Sequence, residues 1–264
     1  VLGMAFLAFF DKKKRVLFPN ITYSFYPVYC NLFSVDYREI PLLPDLSVDV
    51  HAFCESKGGV CLANPNAPTS LALPLAMIEE ILKAHPDEVV MIDEAYVDFG
   101  AQSAVSLIDR YENLLVVQTL SKSRALAGLR VGFAAGNAAL IEGLNRVKNS
   151  FNSYTLDRLG MAGAAAALED ELYFTEITGK IIETRQRVAD ALRNMGFDVP
   201  ESRANFLFVE HAKKRAADLF ALLRENGVIV RYFNKQGIDN RLRISIGTDE
   251  EMDRFLKIME VCII

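Results

Sequence analysis

Short apolar runs that alternate with helical segments constrain the fold of this chain more than any other feature. Gly59–Ala63, Glu88–Ile92 and Leu114–Gln118 are largely apolar, and Leu75–Ala84 between the first two has apolar residues at helical spacing. Nearly uninterrupted apolar runs are typical of strands that are buried on both faces of a parallel sheet. The alternation therefore predicts an α/β fold, with a mostly parallel sheet covered by helices on both faces.

Polar residues follow several of these runs at the point where each predicted strand ends. They are the loop Asn64–Ser70, Asp93–Tyr96 and Ser121-Lys122, together with Pro19-Asn20, which ends a further short predicted strand over Arg15–Phe18. Any one of them alone is more typical of a turn, a helix cap or a solvated lysine. Because ligands bind at the carboxyl ends of strands in open α/β sheets, their combination at one edge predicts a ligand site.

The segment from Thr119 to Phe133 combines groups with complementary chemistry. Lys122 leaves the end of a predicted core strand with Ser121 before it, and Arg130 follows after a turn of small residues. A lysine amine is a nucleophile towards carbonyl carbons, and a serine hydroxyl and a guanidinium bind anions. This set suits a covalent bond between the lysine and a phosphorylated aldehyde.

The spacing of Ser121, Lys122 and Arg130 resembles the cofactor motif of the fold-type I pyridoxal-phosphate enzymes, in particular the aminotransferases that include histidinol-phosphate aminotransferase. The resemblance implies that pyridoxal 5'-phosphate is the cofactor and that Lys122 is its covalent anchor and the catalytic base. It also implies that Asp93 pairs with the pyridine nitrogen and that Tyr96 contacts the phenolic oxygen.

Further positions match the family's cofactor and substrate ligands. The resemblance implies that Tyr23 stacks on the cofactor ring and that Ser121 and Arg130 bind its phosphate. In the C-terminal part, Arg243 matches the arginine that binds the substrate carboxylate, while Arg231 and Asn205 match substrate-contacting positions.

The chain departs from the family's pattern in two places. The family's Asn-Pro-Thr-Gly appears here as Ala67–Ser70, so Ala67 stands where an asparagine faces the phenolic oxygen, and neighbouring Asn66 is the candidate substitute. The family's glycine-rich phosphate-binding turn and N-terminal arm would precede Val1. We expect Val1–Phe10 to be the buried end of a helix that begins before residue 1.

The pattern also predicts the domain organisation. We expect a large cofactor-binding domain over residues 1–171, a long connecting helix over residues 172–195 and a small α+β domain over residues 196–264. In addition to the runs above, the sequence predicts a helix that opens over Thr22–Tyr26 and further strands. These strands are Leu129–Ala135, Asn205–Val209, Val228–Tyr232 and Arg241–Ile246.

Composition narrows the class of protein. A net charge of −5 argues against a nucleic-acid partner. The four cysteines and three histidines show no zinc-binding spacing, so no metal is expected, and reduced thiols favour a cytoplasmic protein. The apolar start is too short to span a membrane.

The resemblance implies transamination between L-histidinol phosphate and 2-oxoglutarate, a step of histidine biosynthesis, by a homodimer. Small-molecule amino donors and 2-oxo acids are the expected partners. An aromatic-amino-acid aminotransferase or a threonine-phosphate decarboxylase would share the cofactor residues, so both stay open. A nucleotide-binding protein is disfavoured because the chain lacks Gly-x-Gly-x-x-Gly and Gly-x-x-x-x-Gly-Lys turns. A non-catalytic regulator with this fold is the remaining alternative.

Overall fold

A six-stranded sheet is the largest element in the computed structural model of the protein, which describes residues 1–263. Its strands in chain order are β1 (Val16–Pro19), β2 (Tyr37–Ile40), β3 (Gly59–Ala63), β4 (Val90–Asp93), β5 (Leu114–Thr119) and β6 (Gly132–Gly136). The spatial order is β2-β1-β3-β4-β5-β6, in which β6 runs antiparallel to β5 and the other neighbouring pairs are parallel. The predicted mostly parallel sheet is confirmed.

Helices cover both faces of this sheet. One face packs against α1 (Leu2–Phe9), α2 (Tyr26–Phe33) and α5 (Ala138–Phe151), and the other packs against α3 (Val50–Glu55) and α4 (Leu75–Ala84). The inner strands β1, β3 and β4 are buried on both faces for this reason, as the apolar runs predicted, whereas the edge strands β2 and β6 are partly exposed. Within residues 1–263, no helix combines the length and apolarity needed to cross a membrane.

A second sheet is formed by the C-terminal part of the chain. After α6 (Arg158–Glu169) and the long α7 (Glu171–Asn194), the remaining elements are β7 (Phe197–Asp198), β8 (Phe206–His211), α8 (Ala216–Glu225), β9 (Arg231–Tyr232), β10 (Leu242–Ser245) and α9 (Asp249–Ile263). The strands are antiparallel in the order β7-β8-β10-β9. This is the predicted α+β arrangement, while the domain limits at residues 171 and 195 stay a prediction.

The two faces of the small sheet have different neighbours because side chains alternate along a strand. Leu207 and Val209 of β8 pack into a core with α7, α8 and α9. Phe208 packs against Ile21 in the segment that follows β1, and Phe206 packs against Ala67 in the loop that follows β3. One face of the small sheet therefore lies over the strand ends of the large sheet.

Polar contacts also join the two sheets. Arg185 of α7 is buried, and its Nη1 donates to the carbonyl oxygens of Phe99 at 2.8 Å and Ala204 at 2.7 Å. Lys235 Nζ donates to the carbonyl oxygen of Asn20 at 2.6 Å. These contacts hold the small sheet over the segments that leave β1 and β4.

Three predicted boundaries differ from the structure for local reasons. The strand predicted from Leu129 begins at Gly132, because residues 127–129 form a short 3₁₀ turn and Arg130 has a left-handed backbone with φ 57°. The strand predicted over Val228–Tyr232 is only two residues long, since β9 pairs with β10 at two positions. The helix predicted to open over Thr22–Tyr26 begins at Tyr26.

Candidate active site

Two adjoining cavities lie at the carboxyl edge of the large sheet, and the second of them is also lined by residues of the small sheet. The strand-end cavity, of about 380 Å³, is lined by six of the predicted residues. They are Tyr23, Asp93, Tyr96, Ser121, Lys122 and Arg130. The intersheet cavity, of about 350 Å³, is lined by Arg231 and Arg243 and shares Tyr23 and Ala67 with the first.

Asp93 is the buried carboxylate of the strand-end cavity. It is the last residue of β4, and its Oδ2 accepts a hydrogen bond from Tyr26 Oη at 2.9 Å while Oδ1 accepts from the Ala95 amide at 3.2 Å. Burial raises the pKa of Asp93, and these two hydrogen bonds and the charge of Lys122 partly offset that increase. Within residues 1–263, no lysine or arginine nitrogen lies within 4.0 Å of this carboxylate.

Lys122 projects into the same cavity from the turn after β5. Its Nζ lies 5.4 Å from the centroid of the Tyr96 ring, which packs edge-to-face against Phe206 at 5.1 Å. The neighbouring Ser123 is buried and donates a hydrogen bond to Asp98, which anchors the turn. The amine therefore lies in the strand-end cavity beside the ring of Tyr96.

Ser121 and Arg130 form a polar end of the strand-end cavity. The amide of Ser121 donates to Thr119 Oγ1 at 3.2 Å, and Thr119 Oγ1 donates to Ser121 Oγ at 2.9 Å. Arg130 Nη1 donates to the Ala127 carbonyl at 3.0 Å, and no carboxylate among residues 1–263 is within 4.0 Å of its guanidinium. A hydroxyl and a guanidinium without an acidic partner suit an anion such as phosphate.

Tyr23 separates the two cavities. Its ring meets the Tyr26 ring edge-to-face at 5.5 Å, and 42% of the residue is exposed. Burial raises the pKa of Tyr23, with a further increase from the negative charge of Asp93. The exposed ring surface is available to a planar ligand.

The two arginines of the intersheet cavity pack on aromatic rings. Arg243 Cζ lies 5.1 Å from the Phe206 ring centroid and 5.8 Å from that of Phe233, and Arg231 Cζ lies 5.4 Å from Phe233. Arg243 Nε is buried without a hydrogen-bond acceptor among the described residues. Burial lowers the pKa of Arg243, and the charge of Arg231 lowers it further. An unpartnered buried donor next to a second guanidinium suits an anionic ligand.

Two predicted residues do not line either cavity. The predicted role of Asn66 at the phenolic oxygen is not supported, because its side chain is used within the chain itself. Asn66 Nδ2 donates to the Ile21 carbonyl and to Thr69 Oγ1, both at 3.0 Å, and Oδ1 accepts from Thr22 Oγ1 at 2.8 Å. Asn205 lies immediately before β8, and its substrate role stays a prediction.

The structure adds functional candidates that sequence reasoning missed. The sequence marks Tyr26 only as part of the segment over which a helix opens, and nothing in the sequence indicates its hydrogen bond to Asp93. Glu94 accepts hydrogen bonds from Ser103 Oγ, the Ala104 amide and Gln118 Nε2 at 2.6 to 2.7 Å. Since Gln118 lies on β5, Glu94 joins the ends of two neighbouring strands.

Comparisons with known proteins identify the family of this chain. The family described as aminotransferase class I and II matches residues 1–259. A histidinol-phosphate aminotransferase from Clostridium acetobutylicum is 54% identical over 263 residues, which is 100% of this chain and 75% of that protein. Histidinol-phosphate aminotransferase 2 from Dechloromonas aromatica is 54% identical over 95% of this chain and 71% of its own length.

A solved structure is similar in fold. Histidinol-phosphate aminotransferase from Sinorhizobium meliloti, crystallised in complex with pyridoxal-5'-phosphate, matches with a TM-score of 0.87 and 23% identity. The match covers 99% of this chain and 74% of that one. The two sheets and their helices are therefore an arrangement that this chain has in common with a pyridoxal-phosphate protein.

Proposed function

The chain belongs to the class I and II aminotransferases, and from that membership we propose that it transfers an amino group between L-histidinol phosphate and 2-oxoglutarate in histidine biosynthesis. It is a pyridoxal-phosphate-dependent enzyme. The observation that carries the choice of a phosphorylated substrate is the pair of guanidiniums in the intersheet cavity, one with a buried Nε that lacks an acceptor among the described residues.

The residues of the strand-end cavity fit pyridoxal phosphate. Asp93 is a buried carboxylate that accepts hydrogen bonds from neutral groups, so its charge is available to a protonated ring nitrogen. Ser121 and Arg130 offer an anion site, and Tyr23 offers a ring surface. When bound, the cofactor supplies an aldehyde that bonds to amines and a ring that withdraws electrons from the substrate α-carbon.

Lys122 performs two tasks in the proposed mechanism. Its amine would hold the cofactor covalently before substrate arrives, and the amine, once released from the cofactor, would move the proton at the substrate α-carbon. The position of Nζ over Tyr96, in a cavity that adjoins the arginine-lined cavity, supports this assignment. Asp93 would hold the proton at the ring nitrogen, and Tyr96 would donate a hydrogen bond to the phenolic oxygen.

Arg243 and Arg231 divide the recognition of substrate in this proposal. Arg243, the more enclosed guanidinium, binds the carboxylate of 2-oxoglutarate or glutamate and contributes to binding of the phosphorylated donor. Arg231, exposed on β9, binds the phosphate. A bidentate guanidinium pairs well with either anion, and two of them accommodate the dianion.

A donor panel tests the proposed reaction. Glutamate formation from 2-oxoglutarate is measured with histidinol phosphate, unphosphorylated histidinol and phenylalanine, and carbon dioxide release is measured with threonine phosphate. We expect the highest kcat/KM with histidinol phosphate and a large loss with histidinol, which lacks the phosphate. Turnover of phenylalanine but not histidinol phosphate would contradict the proposal in favour of an aromatic aminotransferase, and carbon dioxide release would favour a decarboxylase.

The exposed apolar surface supports a homodimer as the working form. Residues in and around α6 and the start of α7 expose large apolar side chains, with Leu159 78% exposed and Leu172 88% exposed. Helix α6 packs against the turn 127–129 that precedes Arg130. A second copy of the chain on this surface would bury these apolar side chains next to the polar end of the strand-end cavity, where Ser121 and Arg130 lie.

Sedimentation of the purified protein tests this association. We expect a dimer at micromolar concentration and a shift to monomer in Leu159→Glu plus Leu172→Glu. An exposed apolar residue elsewhere, changed in Ile229→Glu, is the control that should leave the dimer intact. A wild-type protein that sediments as a monomer while active would contradict the proposal.

A cytoplasmic location is also proposed, on the evidence of the thiols. Cys30, Cys54, Cys61 and Cys262 are all free in the structure. Free, mostly buried cysteines are typical of proteins kept in a reducing compartment. Fractionation of cells that express the protein would test this, and recovery outside the cytoplasm would contradict it.

A further inference from the structure

Tyr26, a residue that the proposed mechanism does not use, makes the most enclosed polar contact of the strand-end cavity. It is the first residue of α2, is 0% exposed, and packs with its ring against Phe6 and Phe18. Its Oη donates to Asp93 Oδ2 at 2.9 Å across 67 residues of chain. A phenol buried among aromatic rings, with its hydroxyl on a buried carboxylate, is a contact that only the side chain at this position can supply.

Tyr26 differs from the other donor to Asp93. The Ala95 amide at 3.2 Å belongs to the backbone and is available whatever residue occupies position 95. Tyr26 is the side chain that hydrogen-bonds Asp93 among the described residues. Replacement of Tyr26 would therefore leave the carboxylate with the Ala95 amide as its only hydrogen-bond donor among the described residues.

The surroundings of Asp93 oppose its negative charge. The titratable groups that face it are Tyr26 and Tyr29 from α2, Cys61 from β3, Lys122 after β5, and the rings of Tyr23 and Tyr96. Lys122 is the one cation in this set, and it is beyond ion-pair distance of the carboxylate. Hydrogen bonds must supply most of the stabilisation that water would otherwise give.

We propose that Tyr26 is a positioning residue for the cofactor, which holds Oδ2 of Asp93 so that the ionised carboxylate faces the ring nitrogen. The inference rests on the role of Asp93 in the proposed function. Tyr26 does not touch the cofactor ring in this assignment, because its hydroxyl is directed to Asp93. It acts through the charge and the orientation of that carboxylate.

The substitution Tyr26→Phe isolates this role, since it removes one hydroxyl and retains the ring that packs on Phe6 and Phe18. Loss of a donor to a charged acceptor should weaken binding of pyridoxal phosphate roughly tenfold or more. It should also raise the pKa of Asp93 further, because burial already raises it and the Tyr26 hydrogen bond lowers it. Binding would then be lost at a higher pH as the pH falls, since protonated Asp93 no longer attracts a protonated ring nitrogen.

The test compares two ligands by fluorescence titration of the cofactor-free chain across a range of pH. One is pyridoxal phosphate, and the other is its carbocyclic analogue, in which CH replaces the ring nitrogen. We expect Tyr26→Phe to weaken the binding of pyridoxal phosphate roughly tenfold and to change the affinity for the analogue less than about twofold. Tyr37→Phe is the matched control, because Tyr37 stacks on the same Phe18 ring at 5.2 Å and lies outside both cavities.

The same substitution made in the Asp93→Asn protein shows whether Tyr26 acts through the charge of Asp93. In Asp93→Asn, the additional effect of Tyr26→Phe on pyridoxal phosphate should disappear, because the charge that the hydroxyl stabilises is gone. Equal weakening of both ligands by Tyr26→Phe would overturn the inference and make Tyr26 a packing residue. Unchanged binding of both ligands would overturn it as well.

The role of Asp93 is tested by the same measurements. If Asp93→Asn discriminates between the two ligands but Tyr26→Phe does not, only the inference about Tyr26 fails. If Asp93→Asn binds both ligands as the unmodified protein does, the assignment of Asp93 fails and the inference fails with it. Turnover of histidinol phosphate is a separate measurement, so neither result depends on the identity of the amino donor.

Discussion

The two cavities position their functional groups by different physical means. In the strand-end cavity, Asp93 and Lys122 lie at or just after the ends of neighbouring parallel strands, whose backbone hydrogen bonds determine their spacing. In the intersheet cavity, Arg231 and Arg243 lie on paired antiparallel strands and rest on the rings of Phe206 and Phe233. One set is held by strand ends and the other by side-chain packing.

This difference corresponds to the tasks proposed for each cavity. Proton transfer requires groups to be placed within a fraction of an ångström, and the core of a parallel sheet provides that rigidity. Binding of a carboxylate or a phosphate tolerates small displacements of a guanidinium. The comparison implies that the choice of substrate can change through the small sheet while the chemistry at Lys122 is retained.

The largest effect is expected at the amine of the strand-end cavity. Lys122→Ala should lower kcat on the order of a thousandfold, because it removes both the covalent anchor and the base. Reduction of the unmodified protein with borohydride in the presence of cofactor, followed by peptide mapping, should label Lys122. Lys83→Ala, an exposed lysine on α4, is the control. Label on another lysine would contradict the assignment.

The buried carboxylate should show the second largest effect. Asp93→Asn should lower kcat roughly a hundredfold, since a neutral amide stabilises the protonated ring nitrogen less well than a carboxylate does. Steady-state kinetics measures it, with Asp109→Asn on the exposed surface as the control. Undiminished turnover would remove Asp93 from the mechanism and weaken the contrast between the cavities.

The arginines of the small sheet should affect KM more than kcat. Arg243→Lys should raise KM for 2-oxoglutarate roughly tenfold, because the bidentate contact to its carboxylate is lost. It should also raise KM for histidinol phosphate, because one of the two guanidiniums that accommodate the phosphate is lost. Arg231→Lys should raise KM chiefly for histidinol phosphate. Arg224→Lys on α8 is the control, since it lies outside the intersheet cavity. An equal loss of kcat in both variants would mean that the small sheet takes part in the chemistry.

The aromatic support of the arginines should give the smallest effect. Phe233→Leu should raise KM for histidinol phosphate roughly three- to tenfold, since cation–π contacts to Arg231 and Arg243 are lost. Phe220→Leu is the control, because Phe220 lies on α8 and packs on Tyr232 at the helix-covered face. A loss of kcat without a change in KM would indicate that Phe233 supports the strand-end cavity instead.

The sequence predicted correctly the elements whose bounds depend on a local pattern of residues. The bounds of β3 (Gly59–Ala63) and α4 (Leu75–Ala84) agree with the predicted ranges, because a buried strand and an amphipathic helix each carry their periodicity in consecutive residues. The beginning of β6 was missed because Arg130 adopts a left-handed backbone, which is uncommon for arginine.

The sequence predicted the part of the candidate site that follows from the topology of the sheet. Strand ends meet at one edge by topology, so the sequence could bring Asp93 near Lys122 once the strands were recognised. It could not show that Tyr26 turns its hydroxyl to Asp93, because that contact depends on how α2 packs on the sheet. Nor could it show that Asn66 has its amide group already hydrogen-bonded to Ile21 and Thr69.

The two hydrogen bonds of Arg185 that link the large sheet to the small sheet affect how the protein responds to acid. The Arg185 guanidinium is bonded to the two carbonyl oxygens of Phe99 and Ala204 and not to a carboxylate. Carbonyls do not titrate, and a guanidinium keeps its proton over the whole pH range in which proteins are studied. Mild acid therefore leaves these two hydrogen bonds unchanged. A fall in turnover under mildly acidic conditions would therefore report the ionisation of groups around the substrate, and not a separation of the two halves of the molecule.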